Sequence, residues 1–448
     1  MSYNNSVLHG PFLKNVLTLF SGSSLAQLVG LAFMPLLTRL FTPGEFGIFY
    51  LFLTIASILS LIITGGYEKT FVLPSSDKDA NKLILFSFGF LFFSTMILFL
   101  VAALLSNWSD SIFHTERSRL IIWLIPVYSF LLASVRLFQN WLIRGERYKD
   151  VSASNIIRNG SFSALQTGFG FLSYGSCGLV LGSCLGQVFP LAYIIFRGKG
   201  SLTKVNRKEI SESYIIGRKF RDFPVYKMPA DLVNELSIQS PVFVFSYLFS
   251  NAVTGMYTLP ARLLNQPSRF IGQAAGEVYY RQASELNSDG KNIADLTYSL
   301  FRFLFLLGII PFSIISLWGE GIFSFVFGAE WEFSGRIAAW LSPWLLFVFA
   351  GSPVSGIFLI KNKLRLSFIM NSILLVTRIA ALLTGALILR DLNMTIILFA
   401  LISVIYWIFI SIFSLSLAGV PVWKPLIFIV VTVVPAIFIL GIIKFFVP

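Results

Sequence analysis

Two stretches of the sequence place charged and hydrogen-bonding side chains at helical spacing inside segments that are otherwise apolar. Within residues 253–280, Arg262, Gln266, Arg269, Gln273, Glu277 and Tyr280 follow one another at intervals of 4, 3, 4, 4 and 3. Those intervals put them on one face of a continuous helix. Within residues 224–250, Lys227, Asp231, Asn234, Glu235 and Gln239 do much the same. A charge near the centre of a bilayer costs about 2.5–3.5 kcal/mol on insertion scales, so such residues face a watery cavity or one another. Two such stripes lead us to expect a hydrated path through a helical membrane protein.

The remaining charges inside apolar runs lean cationic. Arg136, Arg158 and Arg378 join Lys227, Arg262 and Arg269, with Arg302 as a weaker member; Glu68, Asp231, Glu235 and Glu277 are the acids. Guanidinium groups stay charged when desolvated and bind phosphate oxygens in pairs. A lumen lined by Arg262, Arg269, Arg378, Arg136, Arg158 and Lys227, with Gln266 and Gln273 for sugar hydroxyls, suits an anionic, hydroxyl-rich ligand. A buried carboxylate can carry a proton between two sides of a membrane. Glu68, Asp231, Glu235 and Glu277 are therefore the ion-coupling candidates, with Glu68 first because Gly65 and Gly66 precede it and permit a bend. The bland alternatives are a salt bridge between Glu68 and Lys69, mutual neutralisation of Lys227 and Asp231 at i, i+4, and snorkelling of Lys227 and Arg158 to an interface.

Composition fixes the class of element that carries these residues. Of 448 residues, 56% are hydrophobic and only 12% charged, about half the charge of a soluble domain. The chain is expected to be all-α and polytopic. Apolar runs long enough to span fall at 13–40, 46–73, 83–105, 118–141, 151–173, 177–197, 224–250, 253–280, 293–318, 336–360, 365–389, 394–418 and 425–446. The first run is too long for the core of a cleavable leader. Lys and Arg gather in the loops after the even-numbered runs, including eight between Arg197 and Arg221. That bias puts the N-terminus in the cytoplasm. The net charge of +13 then belongs to loops that face anionic lipid, and no nucleic-acid partner is expected. The two cysteines, Cys177 and Cys184, read as small packing residues. His9 and His114 are the only histidines, and no metal-ligand cluster, phosphate loop or nucleophile elbow is present. Neither an enzyme, a cofactor nor a metal is expected.

The runs group into two sets of six. Residues 1–197 make an N-terminal lobe, 198–222 a basic cytoplasmic linker, 223–418 a C-terminal lobe and 419–448 a thirteenth helix. Leu40-Phe41-Thr42-Pro43-Gly44-Glu45-Phe46-Gly47 is echoed by Leu248-Phe249-Ser250-Asn251-Ala252-Val253-Thr254-Gly255. Leu142-Ile143-Arg144-Gly145 is echoed by Leu359-Ile360-Lys361-Asn362. Six spans per set is even, so the sets are read as parallel repeats about a pseudo-two-fold axis along the membrane normal.

Four segments carry a family resemblance: LTRLFTPGEFGIF at 37–49, GGYEKTFVLP at 65–74, PARLLNQPSRFIG at 260–272 and FVFGAEW at 325–331. Together they resemble the polysaccharide-transporter branch of the multidrug/oligosaccharidyl-lipid/polysaccharide flippase superfamily, of the Wzx-like O-antigen or capsule repeat-unit type. The resemblance implies two six-helix lobes in a V around a central cavity. It implies an undecaprenyl-diphosphate-linked oligosaccharide moved across a bacterial inner membrane by alternating access, with proton or sodium as the coupling ion if there is one. Other polysaccharide-assembly membrane proteins are the implied protein partners. The thirteenth run departs from the twelve-helix pattern of the family. Two competing readings stay open. One is a cation-coupled multidrug antiporter of the same superfamily, which calls for a more acidic cavity. The other is a membrane-embedded polysaccharide polymerase or acyltransferase, for which a large outer loop is expected and not found.

Overall fold

The structure, a computed structural model, describes residues 11–71, 73, 74, 76–115, 117–198 and 207–446, and all regular structure among them is helical. Internal contacts divide the chain into residues 1–243 and 244–448. The first unit contains α1 (Pro11–Leu40), α2 (Pro43–Thr64), α3 (Asp77–Leu105), the short α4 (Ser109–Phe113) and α5 (Ser118–Arg144). It continues with α6 (Tyr148–Phe171), α7 (Gly175–Gly198), α8 (Arg207–Lys219) and most of α9 (Met228–Leu248). The second contains α10 (Asn251–Leu264), α11 (Gln273–Ser288), α12 (Ala294–Phe327), α13 (Glu332–Val354) and the short α14 (Ile357–Ile360). It ends with α15 (Leu364–Leu383), α16 (Leu392–Leu417) and α17 (Trp423–Phe446).

Each of the thirteen apolar runs falls on helix, and α17 is the helix expected at the C-terminal end. Among the described residues eight helices are long and apolar enough to cross a membrane: α2, α3, α5 and α7 in the first unit, and α12, α13, α15 and α16 in the second. The protein is a multi-pass membrane protein. The exceptions are informative. Of the five that are not among the eight, α6, α9 and the α10–α11 segment carry many polar residues, which lower their apolar content. Residues 199–206 of the expected linker lie outside the described residues, and the part from Arg207 to Lys219 is the helix α8. It packs against α3, where Tyr214 meets Phe86 and Ile216 and Phe220 join the core.

Local chemistry explains where helices begin and end. Thr42 caps α2: its Oγ1 accepts from the Glu45 amide at 3.3 Å, and Glu45 Oε2 accepts from the Thr42 amide at 2.7 Å. Pro43 fills the first helical position, where no N–H is missed. At the other end Gly65 and Gly66 both have positive φ, 57° and 75°, which an L side chain rarely adopts. They turn the chain into the single tight turn Tyr67–Thr70. Arg144, at the end of α5, holds the loop that follows. Its guanidinium donates to the carbonyls of Phe71 and Pro74 at 2.7 and 2.9 Å and to Asp77 at 2.9 Å.

Both cysteines are buried and unlinked on α7. α7 packs on α6 through glycines: a Cβ at Gly182 or Gly186 would lie 2.8 Å from Gln166 or 2.4 Å from Phe162. Gln166 Nε2 completes the contact by donating to Leu179 O and Ser183 Oγ. In the second unit, α12 and α13 touch backbone to backbone. A Cβ on Gly335 would lie 2.2 Å from the Gly319 carbonyl oxygen.

At the start of α6, just ahead of its apolar run, Asp150 ties two helices together. Arg147 lies 2.6 Å from it, Arg197 at the end of α7 3.3 Å, and Tyr193 donates to it at 3.0 Å. Burial alone would raise this carboxyl; the bonds from Arg147, Tyr193 and Arg197 outweigh it and hold it below the usual carboxylate range.

Two expectations follow. Gly335→Ala should destabilise the purified protein by about 1–3 kcal/mol through overpacking, seen as a lower thermal midpoint in detergent. Asp150 titrates lower when folded than unfolded, so its contribution is present above the unfolded value near pH 4 and is lost as pH falls through the folded one. Asp150→Asn should therefore lower stability at neutral pH by about 1 kcal/mol and flatten the acid limb of the midpoint-versus-pH curve.

Candidate functional site

The polar stripe of α9 has partners in its own unit. Lys227 precedes α9 in a wide i→i+5 turn, Phe223–Lys227, that has Pro224 at its start. Its Nζ lies 2.7 Å from Asp231 Oδ1, the i, i+4 pair expected from the sequence. The other oxygen, Asp231 Oδ2, takes Lys69 Nζ at 2.6 Å. One carboxylate thus spaces two ammonium groups. Further along α9, Glu235 Oε1 accepts from Ser57 Oγ at 3.3 Å and from Gln239 Nε2 at 3.0 Å. Gln239 Oε1 accepts from Thr54 Oγ1 at 3.3 Å. Ser57 and Thr54 stand on α2, so α9 is zipped to α2 by hydrogen bonds where two apolar helices would have only side-chain packing. Asn234 is exposed.

Glu68 is presented differently. The Gly65–Gly66 turn delivers it to a site where it is 4% exposed, and its Oε2 is buried with no hydrogen-bond partner among the described residues. The alternative reading, a salt bridge to Lys69, is not formed; Lys69 pairs with Asp231. Arg136 on α5 donates to Ser60 Oγ on α2 at 3.0 Å. Arg158 is half-buried on α6. Of its helical neighbours, Phe162 and Gln166 lie against α7 and serve packing, and Asn155 Oδ1 accepts from Gln139 Nε2.

In the second unit the stripe from Arg262 to Tyr280 does not lie along one unbroken helix. A wide i→i+5 turn, Ser268–Gly272, follows Pro267 and joins α10 to α11. Such a turn accommodates one extra residue, so everything beyond it is rotated by about 100° relative to a continuous α-helix. Residue spacing alone assumed regular geometry. The structure divides the stripe into a half-buried part, Arg262 and Gln266, and an exposed part, Arg269, Gln273, Glu277 and Tyr280. Gln273 Nε2 donates to Glu277 Oε1 at 3.3 Å. Gln266 Oε1 and Ser268 Oγ are buried without partners among the described residues. Both sit at the junction.

Arg378 on α15 stands apart from that stripe. It is 5% exposed, donates from Nε to Ser403 Oγ on α16 at 3.0 Å, and lies over the rings of Trp344 and Phe399 at 4.7 and 5.2 Å. Two desolvated cation–π contacts of up to about 2 kcal/mol each are comparable with the insertion penalty of one arginine. Arg302 on α12 likewise lies over Tyr298 and Phe428. Among the described residues no group of three or more His, Cys, Asp or Glu side chains is placed to hold a metal ion.

Sequence reading alone did not nominate Lys69 and Ser57 as partners of the α9 acids or Thr54 as the partner of Gln239, nor Trp344 and Ser403 as partners of Arg378. Lys69 and Ser57 carry weak signals, one beside Glu68 and the other on a polar i, i+3 row with Thr54 and Ser60. Nothing local marks Trp344.

A family model described as polysaccharide biosynthesis protein matches residues 12–280. The chain belongs to that family. Its fold is shared with solved transporters at low identity. A lipid II flippase, MurJ, in an inward closed conformation aligns with TM-score 0.69 and 12% identity, covering 97% of this chain and 92% of the other. An outward-facing multidrug resistance MATE transporter of the MOP superfamily aligns with TM-score 0.59 and 13% identity, covering 94% and 99%. A MATE transporter in a bent conformation aligns with TM-score 0.51 and 12% identity, covering 91% and 95%. No curated protein sequence matches the chain. The expectation of a helical polysaccharide-transporter fold is borne out.

Gly66→Ala should strain the turn that carries Glu68, since φ of +75° costs an L residue about 1–2 kcal/mol. The expected outcome is a lower thermal midpoint together with faster reaction of Glu68 with a water-soluble carboxyl reagent, read by mass spectrometry of the labelled peptide.

Proposed function

We propose that this protein is a flippase that carries undecaprenyl-diphosphate-linked oligosaccharide, an O-antigen or capsule repeat unit, across a bacterial inner membrane. Membership of the polysaccharide biosynthesis family, on a fold shared with a lipid II flippase, is the observation that carries this reading. The proposed organisation keeps lobes at 1–197 and 223–418, the linker at 198–222, a further helix at 419–448 and a cytoplasmic N-terminus.

The chemistry of the spans supports the same substrate. A diphosphate cannot enter hydrocarbon without cationic partners, and guanidinium groups bind its oxygens bidentately. Arg262 and Arg269 flank the α10–α11 junction with Gln266 and Gln273, which offers charge for phosphate and amides for sugar hydroxyls. In the proposed cycle these residues take the head group while the polyprenyl tail stays in lipid. Lys227, Arg136 and Arg158 are the cationic candidates that the first unit contributes to this reading, and Arg378 is a further one in the second. Glu68, a buried carboxylate with an unpartnered oxygen, is the coupling site for a proton or another cation, ahead of Asp231, Glu235 and Glu277. Those three are already engaged by Lys69 and Lys227, by Ser57 and Gln239, and by Gln273.

The test is translocation of a fluorescent polyprenyl-diphosphate oligosaccharide in liposomes, with and without a pH gradient. The expected result is translocation that a gradient accelerates, and that Arg262→Ala with Arg269→Ala reduces by about tenfold or more, the loss of one or two charged hydrogen bonds. Full activity in the double variant would remove the arginines from the reading. Gradient-driven efflux of a cationic dye with no lipid translocation would replace it with the multidrug antiporter.

A further inference from the structure

The unit of residues 244–448 holds a buried guanidinium that no described carboxylate pairs with. Arg378 is 5% exposed. Among the described residues no carboxylate forms an ion pair with it. Ser403 Oγ accepts from Nε at 3.0 Å, but Nη2 is buried with no acceptor among the described residues. Trp344, whose ring centroid lies 4.7 Å from the guanidinium carbon, also has its Nε1 buried with no acceptor among the described residues. Tyr257 and Tyr406 are within electrostatic reach of the same cation. Ring faces stabilise the charge as a whole but are weak acceptors of an N–H, and buried donors in native proteins are nearly always paired.

We propose that Arg378 Nη2 and Trp344 Nε1 belong to a binding site for a small monovalent anion, of which chloride is the representative. Both groups only donate, so the ligand must accept. A single fixed positive charge is neutralised by a single negative one. The aromatic surroundings of Trp344, Phe399 and Tyr257 favour a weakly hydrated ion over a strongly hydrated divalent oxyanion. The guanidinium is more deeply buried than that of the half-buried Arg262 or the exposed Arg269. The bound anion turns a lone buried cation into a satisfied pair and locks α13, α15 and α16 together. The inference does not depend on what the protein transports.

The experiment uses the purified full-length protein in lipid nanodiscs, exchanged between sodium chloride and sodium gluconate at equal ionic strength. The thermal midpoint is followed along with the chloride-35 NMR linewidth. We expect the midpoint to rise by several degrees in chloride, with saturation, and the chloride line to broaden. Arg378→Gln, which can keep a bond to Ser403, should abolish both effects. Trp344→Phe, which keeps a ring and removes the N–H, should weaken the apparent chloride affinity several-fold and carries the test should Arg378→Gln fail to fold. An unchanged midpoint and linewidth in the folded wild-type protein would overturn the proposal, as would a chloride response that survives Arg378→Gln or Trp344→Phe unaltered.

Discussion

A charge inside hydrocarbon must be answered, and the ways this chain answers its charges decide much of its architecture. Asp231 is answered by two lysines and Glu235 by hydroxyl and amide donors. Arg136 finds a serine, Arg302 two rings, and Arg144 the carbonyls of a loop. Each answer joins two segments distant in sequence. The polar contacts thus act as registration points between helices whose apolar faces would pack in several ways. Buried polar groups specify an arrangement more than they stabilise it when their partners are spread over different elements.

The same requirement separates groups held for structure from groups held for use. Asp150, with Arg147, Arg197 and Tyr193 around it, is closed chemistry: donors and acceptors match and nothing is left over. Glu68 and Arg378 are open, each with an atom that no described neighbour engages. An unmatched buried ion is expensive to maintain. That expense is tolerated where a ligand or proton completes the set in some state of the molecule, which is why both residues carry the functional readings given above.

Much of the fold was legible in the sequence because length and apolarity are additive properties. A run of 20 or more apolar residues becomes a helix in this setting whatever its neighbours do, and each of the thirteen runs fell on helix. Turn chemistry was legible too: the Thr-Pro-Gly-Glu cap and the Gly65–Gly66 turn depend on adjacent residues alone. Register was not. The stripe from Arg262 to Tyr280 was counted at 3.6 residues per turn, and a single wide turn after Pro267 broke the count. Proline announces that a backbone bond is missing but not how the chain absorbs the loss. Pairing across the fold was the least legible of all. The Glu68–Lys69 neighbour pair looked natural on paper, yet Lys69 reaches Asp231, 162 residues away. A partner chosen by tertiary packing leaves no trace in local spacing.

The meeting of Gly319 and Gly335 has a mechanical consequence. Where two helices touch through side chains, rotamers can yield and the helices can slide. Here a carbonyl meets a bare Cα, and a shift of one residue in either direction would bring a side chain, such as that of Glu320, into the partner's backbone. α12 and α13 must therefore travel as one stiff member through any motion the protein undergoes. Deformation is left to elements that already contain a loosened backbone, such as the wide turns ahead of α9 and between α10 and α11.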